Sequence, residues 1–436
     1  MTSPPPDALT LARARSPEPP APDFPAGRQV TAWPGEPLPV PPELDRTLRL
    51  SLAGGRLRPA ASAGALHPVN THLLLGPDGT LPPGRYAYDP VRHRLHPRGG
   101  AGADAPRGAI AVLTVTARRT VSHYGHRGWP LLLLDTGHAA AALALAGAAT
   151  WCPDADGALL AAAAGLPRDW GDAEPEHALA AVRLTPGPPD APTRWAAQGP
   201  ARRPLPADRA APPVLRETWR LLDQLTRTGS VRAAWRPVAV PVLPDEVLLG
   251  RRSAPPGFPG APDRTEAGAV LAAARRAAGD RGLLWTMAAG PSAGRGGGAV
   301  PERIAAPPRG PGRPRGPGPA PDGLARRAAG QAWLSDTGAV LLAHGCPDDA
   351  GSARVRLDHL AAGYAVGAAQ ALACALGLAS RPVGSWQHGS PGPRHIVHGL
   401  ALGRRTEAGP GTEPRNRTRA RHGPALRHRT EGDQRS

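Results

Sequence analysis

The chain has 436 residues, of which 57 are proline and 54 glycine, and its basic side chains outnumber the acidic ones by 17. No lysine occurs, Ile stands only at 110, 304 and 396, and Phe only at 24 and 258. This preference for residues with GC-rich codons points to a GC-rich bacterial genome and weakens any functional reading of the charge. Much of the excess lies in two Pro/Gly/Arg-rich stretches: 291–327 holds seven Arg against Glu302 and Asp322, and 404–436 holds nine Arg against four acids. Both lack the apolar residues that would offset the entropy of ordering, so solvated tails are expected there, and nucleic acid is not the expected partner. Cys152, Cys346 and Cys374 are odd in number with no Cys-x-x-Cys pair, which gives no disulfide framework or zinc signature and suits a reducing cytoplasm. The N-terminus lacks a signal pattern, and no apolar run reaches the ~20 residues that span a bilayer.

Residues 1–45 are Pro-rich and are expected to be disordered or loosely draped. Leucines at helical spacing follow over 44–52, then a small-residue loop, Ala60 to Ala65, closed by His67-Pro68. Such a loop is either an ordinary turn or a place where the backbone approaches a flat ligand closely and offers it free N–H groups. The apolar run 69–75 reads as a strand, Gly76-Pro-Asp-Gly79 as a hairpin turn, and Leu81–Pro90, with Tyr86 and Tyr88, as an edge strand. Ala109–Ala117 alternates branched apolar residues as a strand does, and Asp135-Thr-Gly137-His138 opens an Ala/Leu helix running to about residue 149.

Residues 186–213 have the composition of a linker, and Val214–Thr226 that of an amphipathic helix. Beyond Arg251-Arg252-Ser253 the pattern gives a helix over Glu266–Ala278, strands over Gly282–Ala289 and Ala339–Ala343, a long helix over Val355–Leu378 and a last strand over His395–Leu402. Gly363 and Gly367, four apart, would let another helix come close. A structureless 291–325 insert is improbable inside a compact fold, and a local frameshift in a GC-rich gene would account for it. The order of strand, Ala-rich helix and loop recurs in both halves. An α+β tandem is therefore expected: a segment 1–45, unit 1 over 46–190, a linker and helix over 191–245, unit 2 over 246–405, and a basic tail over 406–436.

Three blocks carry a family resemblance: Pro59-Ala-Ala-Ser62-Ala-Gly64-Ala-Leu-His67-Pro68, Leu81-Pro-Pro-Gly84-Arg-Tyr-Ala-Tyr88-Asp-Pro90, and Tyr124-Gly-His-Arg127-Gly128-Trp129 running on to Asp135-Thr-Gly137-His138. Thinner matches follow at Arg251-Arg252-Ser253, Gly330 to Asp336, Gly377 to Gly384 and His398 to Arg404. In this order and spacing they resemble the nitroreductase superfamily, specifically its SagB-type dehydrogenases. The resemblance implies a central, mainly antiparallel sheet wrapped by helices, paired units forming an intramolecular pseudo-dimer, and FMN bound where the units meet. It also implies that Ser62, Ala63, Gly64, His67 and Pro68 lie against the flavin ring. The same resemblance gives Arg251, Arg252 and Ser253 the phosphate, and adds Gly384, Ser385 and Arg404 to the cofactor set.

The halves are asymmetric. Unit 1 has the Ser62 loop without an Arg-Arg-Ser ahead of it, since Arg46-Thr-Leu-Arg49-Leu-Ser51 is a poor substitute; unit 2 has Arg251 and Ser253 without the loop. Gly290-Pro-Ser-Ala-Gly294 falls after the strand and is taken as chance. One composite flavin site is therefore expected. Azoline-oxidising members carry Lys-Tyr where this chain has His123-Tyr124, so these two are the candidate catalytic residues, with His123 otherwise an exposed loop histidine. His138 is expected to be a satisfied side chain at a helix start, and Arg127 to pair with Asp135 or with a phosphate. The implied activity is FMN-dependent oxidation of azoline rings, or of a related dehydro substrate, on a ribosomal peptide, with a cyclodehydratase as possible partner. The competing reading is a flavin-free subunit that binds peptide or scaffolds a biosynthetic complex.

Overall fold

The computed structural model describes residues 8–405, apart from 21, 103, 200, 208–209, 228–233, 280–281, 290–320 and 388–394. The irregular stretch 291–320, the Gly290–Gly294 segment and the tail 406–436 thus lie outside the described residues. No helix among the described residues is long and apolar enough to cross a membrane.

Two antiparallel sheets flank a central pair of helices. The larger is built from β1 (Leu38–Pro39), β2 (Val69–Leu75), β3 (Gly84–Asp89), β4 (Arg94–Gly100), β5 (Ala109–Thr116), β6 (Thr150–Cys152), β7 (Glu176–Arg183) and β8 (Arg236–Pro237). Their order across the sheet is β1-β4-β3-β2-β5-β7-β6-β8. The smaller, in the order β11-β12-β10-β9, is built from β9 (Leu284–Ala289), β10 (Ala339–Gly345), β11 (Ala379–Val383) and β12 (His395–Gly403). Between them lie α4 (Gly128–Leu145) and α11 (Ser352–Ala375), packed along each other; α4 faces β2, β5 and β7, and α11 faces β11 and β12.

The strand periodicity explains the layers. In β5, Ala111, Leu113 and Val115 face the shared central core while Ile110 and Val112 face a second cluster under α5 (Gly157–Ala163) and α6 (Ala191–Ala196). In β10, Leu341 and Ala343 face the central core, and Val340 and Leu342 pack with Phe258, Leu324 and Trp386 beyond the smaller sheet. Strands covered on both faces must be apolar throughout, and all eight residues of β5 are buried.

The α4–α11 seam depends on glycine. A Cβ on Gly363 would lie 2.2 Å from the Leu134 carbonyl oxygen, and one on Gly137 would lie 2.3 Å from that of Leu360. Gly367 is similarly close to Ala141 and His138, so the four-residue spacing does bring a second helix into contact. Arg356 of α11 donates to the carbonyls of Ala155, Leu179 and Thr226, tying the seam to β7 and to α7 (Pro213–Thr226).

Several expectations need correcting. The helix expected from Asp135 begins at Gly128, because the run Leu131–Leu134, which reads as a strand end, is buried all round a helix. β3 is no edge strand: β2 and β4 flank it, and Tyr86 and Tyr88 are buried with their hydroxyls on the Pro82 carbonyl and the His93 ring. The linker-like 186–213 contains α6, whose Trp195 is buried. Residues 321–327 form a helix. The proline-rich start runs as α1 (Ala8–Ala14) and then, over 22–41, as a strap along the larger sheet, with Trp33 buried.

That strap covers a buried polar cluster. Arg98 stacks on Trp33, 3.9 Å from the ring centroid, and donates to His72 Nδ1 at 3.0 Å. A guanidinium only donates, so His72 carries its proton on Nε2 and gives it to Glu176 at 2.7 Å. The hydroxyls of Thr31 and Thr114 also donate to Glu176. Burial pushes the Glu176 carboxyl up, but these donors outweigh it and hold the group below the usual carboxylate range.

Candidate functional site

The Ser62 loop lies over α4. Gly64 and Ala65 have φ of 60° and 54°, and His67 of 47°, so the chain turns tightly and repeatedly in the left-handed region. Asp135, in the middle of α4, fixes the turn: the Ser62 hydroxyl donates to its Oδ2 at 2.7 Å and the Ala63 amide to its Oδ1 at 3.1 Å. Ser62 Oγ in turn accepts from the His67 amide at 2.9 Å, and the His67 ring contacts the Arg56 carbonyl. Burial pushes the Asp135 carboxyl up to about 7 against the lowering effect of those two donors. Burial and the nearby Arg58 take the His67 ring down to about 3.

Arg251 follows α8 (Asp245–Gly250) and crosses from the second half of the chain to the first. Its guanidinium donates to the carbonyls of Arg58 and Pro59, just before the loop, and at 3.1 Å to Gln370 of α11. The Arg251 side chain is buried, and desolvation lowers its pKa to about 10. Arg251 thus braces the loop, and its donors are directed at protein acceptors. Arg252 and Ser253 beside it are exposed, and among the described residues Arg252 bonds only the carbonyls of Leu249 and Arg251.

A cleft of about 460 Å³ opens between the loop, α4, the Arg251 segment and the end of β11, a size that suits a cofactor or small substrate. Of the residues singled out in the sequence, Ser62, Ala63, Gly64, His67, Tyr124, Arg251, Arg252, Ser253, Gly384 and Ser385 all line it. Pro68 does not, lying instead in a small hollow behind the loop. Arg404 is not brought there either: it closes β12 against Gly260 and pairs with Glu266.

His123 and Tyr124 end α3 (Ala117–Tyr124) and point different ways, as successive helical residues must, being about 100° apart. The Tyr124 hydroxyl reaches the loop, 3.1 Å from where a Cβ on Gly64 would sit, and burial raises its pKa. His123 is exposed, its ring edge against Tyr124 and its Nδ1 3.3 Å from Asp23. Arg127 is not paired with Asp135; it donates to the carbonyls of Pro17 and Glu18.

His138, expected at a helix start, lies inside α4 and is satisfied by a ring from the other half of the chain; both rings line the cleft wall. His138 is three residues along α4 from Asp135, and its Nε2 lies 2.9 Å from Nε2 of His398 on β12. His398 Nδ1 donates to the Val383 carbonyl at 3.1 Å, so its Nε2 accepts and His138 Nε2 donates. Both rings are buried and burial lowers both pKa values, that of His398 to about 4. The only hint in the sequence was the i, i+3 spacing of Asp135 and His138; the partner ring is 260 residues away. Arg56, exposed and with no side-chain hydrogen bond among the described residues, also lines the cleft. With Arg56, Arg58, Arg251, Arg252 and Arg381 against Asp135 alone, the cleft favours an anion.

No family model matches this sequence, and no curated protein does. Among solved structures, one from Anabaena variabilis ATCC 29413, described as a "putative nitroreductase", is similar over 84% of this chain and 88% of its own, with 15% identity and a TM-score of 0.59. The fold is thus nitroreductase-like. The E. coli microcin synthetase McbBCD complex with truncated pro-MccB17 bound matches 38% of this chain and 68% of that chain, with 16% identity and a TM-score of 0.28. A second nitroreductase so described, from Ralstonia eutropha JMP134, matches 39% of this chain and 86% of its own, with 19% identity and a TM-score of 0.26. Scores this low carry no argument about this chain.

Proposed function

We propose that the chain is an FMN-dependent oxidoreductase with one composite flavin site, formed by the Ser62 loop of the first half and the Arg252-Ser253 segment of the second. The observation that carries this reading is the single cleft into which both halves deliver those elements. The donor set suits the cofactor. Small residues and left-handed turns leave backbone on the loop side free to lie against a flat ring system, while guanidiniums and hydroxyls stand opposite. Because Arg251 is engaged with Arg58, Pro59 and Gln370, the phosphate falls to Arg252, Ser253 and Arg56, and Arg251 holds the loop in place. Bound there, FMN would supply a two-electron hydride acceptor.

The chain's own part is to move the accompanying proton. Tyr124, whose proton is held firmly, donates a hydrogen bond into the cleft. The Ser62–Asp135 pair accepts the substrate proton, passed through the Ser62 hydroxyl and held at Asp135 Oδ2, since this carboxyl titrates near neutrality. Azoline rings on a peptide, oxidised to azoles, are the proposed substrate, on the strength of the Tyr124–His138 resemblance; the two halves are proposed as a degenerate tandem.

Purified full-length protein should be yellow and release one FMN per chain. Arg252→Ala should weaken FMN binding about ten- to a hundredfold, the worth of a lost charged contact. A protein that stays colourless and takes up no added FMN overturns the reading and leaves the scaffolding role. A thiazoline peptide converted with loss of two hydrogen masses would establish the substrate class.

A further inference from the structure

A second cavity, of about 400 Å³, lies on the other side of α3, under the strap at residues 26–32 and the segment 205–207. Its size is within the range of small-molecule sites. Two successive arginines face it, with opposite circumstances. Arg118 donates to Glu174 at 2.7 Å and to the Ala210 carbonyl at 2.7 Å, and Gly27 of the strap packs on its stem. Arg119 is only 5% exposed, yet its guanidinium makes no hydrogen bond or ion pair among the described residues. Arg28, exposed and also without such a partner, lines the same cavity. A buried charge left without a partner costs several kcal/mol, which a fold seldom tolerates unless a ligand offsets it. Desolvation, together with the neighbouring Arg58, lowers the Arg119 pKa to about 9 against the weaker raising field of Asp135, and the group remains a cation at neutral pH.

We propose that this cavity binds a small organic carboxylate, its anionic end on Arg119 and its apolar body against Val30, Leu205 and Pro206. A single charge is called for. Arg118 and Glu174 already balance each other, and the acid whose field reaches Arg119, Asp135, is hydrogen-bonded to Ser62 and Ala63 instead, so one buried cation remains without an acid in contact, and a phosphate dianion would keep an uncompensated charge. A guanidinium fits the two oxygens of a carboxylate in a fork. The mixed lining excludes a bare inorganic ion as the natural occupant, because the apolar walls would stay in contact with water. The cavity shares no lining residue with the cleft beside the Ser62 loop, and the proposal does not depend on the flavin reading.

The test uses full-length protein with benzoate as probe, at constant ionic strength against chloride and inorganic phosphate. Benzoate should raise Tm and bind the wild type, and Arg119→Met should bind it at least about tenfold more weakly, the loss of one charged contact. Arg119→Met without benzoate should be no less stable than wild type, since it removes an unmatched charge; a merely structural arginine would instead destabilise when cut. Its flavin content should match the wild type. Failure of benzoate to bind the wild type, an equal response from Arg119→Met, stabilisation by phosphate in place of benzoate, or loss of flavin along with the arginine would each overturn the proposal. Should Arg119→Met fail to fold, Arg28→Ala carries the test: it should weaken benzoate about two- to fivefold, as an exposed charge does, and unchanged affinity overturns the proposal.

Discussion

Two buried carboxylates sit about α4 and the larger sheet, and they are held in contrasting ways. Glu176 receives the His72 ring and the hydroxyls of Thr31 and Thr114, with Arg98 closing the cluster from behind. Asp135 receives one hydroxyl and one amide, and burial brings its pKa to about 7. A cluster with its charge fully matched resists change and serves the scaffold. A carboxyl with too few donors can take up a proton at modest cost, and this one does so beside the cleft. These two buried acids therefore differ in how readily they take up a proton by the number of donors they receive, not by depth.

Breaking the matched cluster should cost most. Glu176→Ala leaves Arg98 and His72 without their acceptor and should destabilise by about 3–5 kcal/mol in denaturant unfolding. A loss under ~1 kcal/mol would remove the contrast. Next comes the seam that carries Asp135: Gly363→Ala forces a Cβ against the Leu134 carbonyl and should cost about 1–3 kcal/mol, with the cleft opened and flavin affinity reduced.

Stability should also depend on pH. The Asp135 pKa is raised in the folded state, so its contribution favours folding in acid and is lost as pH rises from about 4, where the unfolded chain ionises, to about 7, where the folded one does. Asp135→Asn should flatten that fall in stability over the same window, while the wild type shows it. A smaller effect is expected at His123, which faces solvent: His123→Ala should change stability by less than about 0.5 kcal/mol and leave flavin content intact. A His123→Ala protein without cofactor would show that the ring reaches the cleft after all.

These strands were legible because strands covered on both faces stand out as short apolar, branched runs: Val69–Leu75 and Ala109–Thr116 stand where those runs placed them. β7 received no assignment, since His177-Ala-Leu-Ala-Ala-Val182 is alanine-rich and lacks the branched signature of a strand. The start of α4 was hidden by four leucines in a row, which have no periodicity to read. For the site, the loop and the Arg-Arg-Ser segment were visible as local motifs. What each does was not, because the determining contacts are distant in sequence: Asp135 meets Ser62 across 73 positions. The pair Arg118 and Arg119 makes the limit plain, with identical side chains side by side and only Arg118 hydrogen-bonded to an acid.

The brace formed by Arg251 also sets an order of events during synthesis. Its acceptor on Pro59 is made 192 residues before it, and Gln370 comes 119 residues after. At about 5–20 residues per second a ribosome spends roughly 10–40 s between Pro59 and Arg251. Through that interval the Ser62 loop exists without its clamp, and the Arg58 and Pro59 carbonyls have only water. The cleft is therefore a late product of translation, and a nascent chain halted before residue 251 would hold the loop's sequence without its shape.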